Sequence, residues 1–341
     1  MVRFGIVGAG AIAKAYSEAL EQTDGVRLTA VADTVASAAD ALATTSGATT
    51  FISHTGLAAS GLCDAVIVST PPATHEAVVL DLVSAGLPVL CEKPFAIHGM
   101  SARRMVSAAA EKGVLVAMAS KFRYVDDVQT AKDMIAKGTI GKIKLIENVF
   151  TGVVNMTQRW NAQADISGGG VLVDNGTHSV DIVRHLIGNI VAASATAGPQ
   201  LQYLDVEDHV FMSLLAENGA IAKIESSWSI HKDKSDYLAL YGDEGVIELG
   251  WKNSRIRRPL TGPWETFGSG YGKVQAFSNQ VLDFAAAVRG LPTKSLSIGD
   301  DIIASVDVIS AGYASMACGG GYVDVDGVAM VERVMPMSVV S

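Results

Sequence analysis

Cysteine is scarce in this chain of 341 residues: Cys63, Cys91 and Cys318 are odd in number and share no CxxC spacing. That argues against a disulfide framework and a cysteine-based zinc site, and leaves three packed thiols as the expectation. Basic charge is also short. Lys and Arg number 26 against 35 Asp and Glu, a net charge of −9, so nucleic acid is not an expected partner. Mean hydropathy is high at +0.31, yet no uninterrupted apolar run approaches the roughly 20 residues that cross a bilayer. The densest stretches, Ala65–Val68 and Val114–Ala119, are strand-sized, so no membrane is expected as a partner. The first residues, Met1-Val2-Arg3-Phe4-Gly5-Ile6-Val7, lack the basic start and small-residue cleavage site of a signal peptide. They read as a first strand, and a cytoplasmic protein is the expectation. Internal repeats and low-complexity tracts are missing too. What remains is a globular composition, 49% apolar and 18% charged, long enough for two domains that bury their cores without staples.

The first part of the chain alternates β-branched runs with alanine-rich stretches of helical length, the pattern of βα units feeding a parallel sheet. Strands are expected at Arg3–Val7, Leu28–Ala32, Thr50–Ile52, Ala65–Ser69, Val89–Cys91 and Leu115–Met118. Helices are expected at Ala11–Gln22, Ala36–Thr44, Ala73–Ala85 and Met100–Lys112. After Ser120 the rhythm changes. One helix, near Val125–Lys137, is followed by extended segments at Lys142–Val154, Val191–Ala197, Val210–Ala216, Ala220–Trp228, Tyr237–Tyr241 and Val246–Leu249. Runs of strands with few helices between them indicate an α+β half with an antiparallel or mixed sheet. A long loop at Arg255–Tyr271, a helix at Asp300–Ala317 and a last strand near Tyr322–Val325 complete the reading.

The first strand runs into Gly8-Ala9-Gly10-Ala11-Ile12-Ala13, a G-x-G-x-x-A dinucleotide fingerprint followed at once by a helix. Gly8 permits the tight turn, Gly10 admits a pyrophosphate to the backbone, and the helix start offers Ala11 and Ile12 N–H groups to the anion. A bare βα turn also takes small residues, and Asp33 weighs against that reading. It ends the second strand twenty residues after Ala13, where a carboxylate accepts hydrogen bonds from an adenosine ribose. Thr34-Val35-Ala36-Ser37 offers no cation for a 2′-phosphate, which favours NAD over NADP.

The fourth strand ends in Ser69-Thr70-Pro71-Pro72 with His75 just beyond, and the fifth in Cys91-Glu92-Lys93-Pro94. Both ends fall on the ligand side of an open α/β sheet. A lysine closing an apolar strand is well placed to donate to a reacting oxygen; an ion pair with Glu92 is the plainer alternative. Further on, Asp174 and His178 stand four apart in Gly168-Gly169-Gly170-Val171-Leu172-Val173-Asp174-Asn175-Gly176-Thr177-His178-Ser179-Val180-Asp181, at the head of an apolar helical pattern. One helical face then carries both, and the carboxylate can orient the imidazole for proton transfer. A core histidine, a helix-capping aspartate, or a metal cluster completed by Asp181 and His185 are the competing readings. No metal is the expectation, because nothing rich in cysteine or glutamate completes a coordination shell.

Taken together, the fingerprint, Asp33, Ser69–His75, Glu92-Lys93-Pro94 and Gly168–Asp181 resemble the glucose-fructose oxidoreductase and inositol dehydrogenase family, also called Gfo/Idh/MocA, over nearly the whole chain. The resemblance implies a Rossmann NAD-binding domain at 1–120 and a substrate-binding and oligomerisation domain at 121–341 with an open, mostly antiparallel sheet. It implies an NAD-dependent dehydrogenase acting on a secondary alcohol of a sugar, sugar derivative or cyclitol. Lys93, Asp174 and His178 are then the catalytic trio, with His178 as acid/base and Lys93 on the reacting oxygen. Cofactor contacts fall to Gly8, Gly10, Ala11, Ile12, Asp33, Ser69, Thr70, Pro71, His75, Glu92 and Lys93, and substrate contacts to Lys93, Arg123, Trp160, Asp174, Asn175 and His178. A homodimer or homotetramer through the second sheet is implied as well. Lys121 departs from the pattern, standing where the family carries asparagine. An NADP-dependent ketosugar reductase and a catalytically silent nucleotide-binding module are the rival functions.

Overall fold

A computed structural model of the chain describes residues 1–326. The chain divides into two compact units. The first comprises Met1–Ile97, Ser101–Tyr124 and Lys273–Ile303; the second comprises His98–Met100, Val125–Gly272 and, of the described residues, 304–326. The backbone thus returns to its first unit late, which a single cut at residue 120 does not describe. The end of the expected second domain, 327–341, lies outside the described residues.

The first unit is built on β1 (Val2–Val7), β2 (Val26–Ala32), β3 (Thr49–Phe51), β4 (Ala65–Val68), β5 (Val89–Glu92) and β6 (Val116–Ala119). Their order in the sheet is β6-β5-β4-β1-β2-β3, all parallel, and the short strand Ser297–Ile298 adds antiparallel to β6. β4 and β6 are apolar and buried along their whole length because a parallel sheet is covered on both faces; β5 breaks the pattern only with Glu92 at its end. The core around Phe4, Ile6, Tyr16 and Leu20 is completed by Phe277, Val281, Phe284 and Ala285. These last four share one stripe of the helix Lys273–Val288, an element beyond those expected from the sequence, at i, i+4, i+7, i+8 spacing. A short helix at His54–Ala59 was likewise not expected.

The second unit carries β7 (Ile143–Thr151), β8 (Ile190–Ala197), β9 (His209–Ala216), β10 (Ile221–Ser227), β11 (Asp236–Gly242), β12 (Val246–Gly250), β13 (Ser254–Arg257) and β14 (Trp264–Gly268). The order is β14-β13-β12-β11-β7-β10-β9-β8, with Val323–Asp324 added beyond β8. Among the described residues β7 and β10 form the one parallel pair in an otherwise antiparallel sheet. Period-two alternation is plain on β9, where Val210, Met212, Leu214 and Ala216 are buried while Phe211 and Leu215 are exposed.

Two expectations are corrected here. The segment Arg255–Tyr271 is not a loop: it holds most of β13 and all of β14, paired through Arg255–Thr266 and Arg257–Trp264. Both guanidiniums lie over the Trp264 ring, 4.4 and 4.6 Å from its centroid, and this cross-strand stacking stands in for the apolar alternation the segment lacks. Of the cysteines, Cys63 and Cys91 are buried but Cys318 is exposed, past the end of its helix. No helix among the described residues is long and apolar enough to cross a membrane.

Candidate functional site

In the first unit the chain turns out of β1 at Gly8, with φ of +93°. A Cβ at Gly8 would lie 2.8 Å from the backbone of Ser69 and Thr70, so only glycine lets the end of β1 pass the end of β4. Gly10 differs, because a Cβ there meets nothing within 4 Å. It precedes the helix Ala11–Glu21, whose amino terminus has no side-chain cap. Open space beside uncapped N–H groups, at the point between β1 and β4 where the strand order reverses, suits a dinucleotide pyrophosphate.

Asp33 follows β2, and its two carboxylate oxygens accept the N–H groups of Ala9 at 2.7 Å and Val35 at 2.8 Å. The side chain therefore braces the glycine loop and still keeps lone pairs for a ribose. Ser69 Oγ donates to the Gly8 carbonyl at 2.8 Å, tying the β4 end to the same loop. Beyond it, Thr74 Oγ1 donates to Thr70 Oγ1 at 2.7 Å.

His75 has a different task from the ligand contact expected of it. Its ring has no exposed surface, with Nε2 2.8 Å from the Thr70 carbonyl and Nδ1 3.0 Å from that of Pro94. Burial holds its pKa below the usual histidine range. The imidazole fills the space between the ends of β4 and β5, and the neutral ring donates its one N–H to one of the two carbonyls.

Glu92 is also turned inward. Its carboxylate accepts the Tyr16 hydroxyl at 2.7 Å and the Lys93 N–H at 3.1 Å. Burial raises its pKa above the usual carboxylate range, opposed by the Tyr16 hydrogen bond and the charges of Lys93 and Lys121. Lys93 itself is half-buried at the carboxyl end of β5, on the strand ends that also carry Gly8, Asp33 and Ser69. Lys121 lies over the Phe122 and Phe277 rings, 5.3 and 5.8 Å from their centroids. Arg123, an expected substrate contact, is 4% exposed and forms a 2.7 Å ion pair with Asp301 inside the first unit.

In the second unit Asp174 and His178 occupy one continuous helical run, 171–187, and both are half-buried. The run is not a regular helix. Leu172–Gly176 is a π-turn, so Asp174 sits in a widened turn and His178 in the first turn of the α-helix Thr177–Ile187. Such turns are rare and recur at functional sites. Asn175 donates from Nδ2 to the Phe150 carbonyl of β7 at 3.3 Å.

The metal reading gains nothing: Asp181 is buried, His185 faces the Lys132 ammonium at 3.2 Å, and no group of three or more candidate ligands occurs among the described residues. Trp160 opens the short turn Trp160–Ala162 and is 40% exposed.

The chain matches the description "Oxidoreductase family, NAD-binding Rossmann fold" over residues 2–120 and "GFO/IDH/MocA C-terminal domain" over residues 128–248. It is 30% identical over 317 residues to the rhizopine catabolism protein MocA of Rhizobium meliloti, covering 89% of this chain and 91% of that protein. With the 1,5-anhydro-D-fructose reductase of Ensifer adhaerens it shares 31% identity over 267 residues, 76% and 78% of the two chains. The solved structure of levoglucosan dehydrogenase in complex with NADH superposes with a TM-score of 0.87 at 22% identity, covering 95% of this chain and 99% of that one. The glycine loop at the strand-order reversal, the mostly antiparallel second sheet and these matches agree: this chain belongs to the Gfo/Idh/MocA family of NAD(P)-dependent oxidoreductases.

Proposed function

We propose that this protein reversibly oxidises one secondary alcohol of a sugar, sugar derivative or cyclitol, with NAD preferred over NADP. The bound nicotinamide supplies the hydride acceptor. On the protein side, His178 takes the hydroxyl proton and Asp174 orients its imidazole, while the Lys93 ammonium donates to the same oxygen as negative charge develops there. A positioned general base contributes roughly 10²–10⁴-fold to such a step. The observation that carries the reading is the Asp174–His178 pair itself, half-buried at the π-turn of one helix, in a chain whose other unit presents Lys93 on its ligand-binding strand ends.

The preference for NAD rests on Asp33. Its carboxylate at the β2 end favours ribose hydroxyls and repels a 2′-phosphate, and no cation stands in Thr34–Ser37 to offset that. Relatives named for anhydro-sugar chemistry support the substrate class. The face of the second sheet bearing Phe211, Leu215 and Ile221, 49%, 36% and 40% exposed, is the surface we assign to a homodimer or homotetramer.

The decisive experiment incubates the protein with NAD and a panel of monosaccharides, sugar phosphates and inositols while following NADH absorbance. Lys93→Ala and His178→Ala should each lose at least about 100-fold in turnover, with NAD binding retained in the His178 variant and weakened far less than turnover in the Lys93 variant. Wild-type turnover in either variant removes that residue from the mechanism.

A further inference from the structure

The helix that carries Asp174 and His178 begins without a side-chain cap of its own. Its first amides are met instead by one residue 37 positions later. The Glu207 carboxylate accepts the Gly170 N–H, shared between its oxygens at 3.1 and 3.2 Å, and the Leu172 N–H at 3.1 Å. The Glu207 backbone carbonyl accepts the Val171 N–H between them at 2.9 Å. Tyr313 donates its hydroxyl to the same carboxylate at 2.8 Å.

The glycine run is shaped to this anchor. A Cβ on Gly170 would overlap the Glu207 carbonyl oxygen, and one on Gly169 would overlap the Tyr313 hydroxyl. Three consecutive amides at the positive end of a helix therefore converge on a single residue, and two of them meet its carboxylate, a strong charge-assisted arrangement. Burial raises the Glu207 carboxyl above its usual range, while the same N–H and hydroxyl donors hold it down. Burial and the adjacent carboxylate push the Tyr313 hydroxyl well up, so it remains a donor.

We infer that Glu207, braced by Tyr313, is a positioning residue that sets the direction of Asp174 and His178 by fixing where their helix starts. The inference rests on the proposed catalytic role of that pair. Each residue turns a helix by about 100°, so the starting point decides which side chains face a substrate. Asp174 follows the anchored amides within the π-turn, and its own N–H donates to the carbonyl of the anchored Gly170 at 3.0 Å, so a shift of Gly170 is passed directly to it. A displacement of about 1 Å at the reacting groups costs on the order of a hundredfold in rate.

The test uses the full chain as Glu207→Ala, Glu207→Gln, Tyr313→Phe, His178→Ala and the double variant His178→Ala/Glu207→Ala. Turnover on the best substrate of the panel, NAD affinity and melting temperature are measured for each. Glu207→Ala should lower kcat about 10- to 100-fold and leave the NAD Kd within about twofold. Glu207→Gln keeps an acceptor oxygen and should recover most of that loss. In the double variant, turnover should match His178→Ala alone, because both changes act on one step.

A folded Glu207→Ala with wild-type kcat overturns the inference, as does a glutamine variant as slow as alanine or a fully multiplicative double variant. If Glu207→Ala does not fold, Tyr313→Phe carries the test, with a kcat loss expected and an unchanged kcat overturning the anchor. Wild-type turnover in His178→Ala refutes the catalytic reading instead, so the two failures are separable.

Discussion

Replacing Asp33 by alanine separates the cofactor-binding reading from a purely structural one. The carboxylate holds two backbone amides, Ala9 at 2.7 Å and Val35 at 2.8 Å. Hydrogen bonds to a charged group contribute about 1.5–3 kcal/mol each when buried. Asp33 is only half-buried and the freed amides regain water, so the apo protein should lose about 2 kcal/mol rather than the full sum. Binding carries a second loss. If the carboxylate also accepts ribose hydroxyls, removing it costs NAD a further 1.5–3 kcal/mol or so, about 10- to 150-fold in Kd. NADP has no 2′-hydroxyl to donate, so it loses less than NAD, and it is relieved of repulsion between the carboxylate and its 2′-phosphate. The ratio of the two dissociation constants should therefore collapse towards one or invert. Calorimetric or fluorescence titration of both nucleotides, with thermal unfolding of the apo variant alongside, gives each quantity separately. An unchanged NAD Kd refutes the ribose contact, and equal weakening of NAD and NADP places the whole effect in the glycine loop.

Three further outcomes are expected. Phe284 is fully buried, with its ring centroid 6.3 Å from that of Phe4; Phe284→Ala should cost about 3–5 kcal/mol in denaturant unfolding, and a loss below about 1 kcal/mol contradicts the packing. Burial raises Glu92 above its usual range, so the folded protein keeps that proton to higher pH than the unfolded chain does. Folding stability should then fall as pH rises from about 4.3 through the raised value, relative to Glu92→Gln, and a pH-independent difference between the two proteins contradicts the shift. Phe211→Glu, on the exposed face of β9, should lower the molar mass measured by light scattering, whereas an unaltered oligomer places the interface elsewhere.

The alternation of strands and helices in the first unit, the glycine loop and the positions of Asp33, Lys93, Asp174 and His178 were legible in the sequence, whereas the order of the strands in the sheet was not. Each depends on neighbours along the chain: a turn that only glycine makes, a strand apolar on both faces, a carboxylate at a strand end, two polar groups one helical turn apart. Such local rules leave a spacing in the residues whatever the chain does elsewhere. The helix Lys273–Val288 was legible as well, since its stripe of Phe277, Val281, Phe284 and Ala285 is a local pattern; its return to the first unit was not.

Tertiary structure alone decided what those groups touch. It turned His75 inward between two strand ends, paired Arg123 with Asp301, and set Glu207 and Tyr313 against the glycine run ahead of Asp174. Hydrogen-bond partners remote in sequence are chosen by the path of the backbone, and a π-turn by the contacts around it, so neither leaves a periodic signal in the residues that take part.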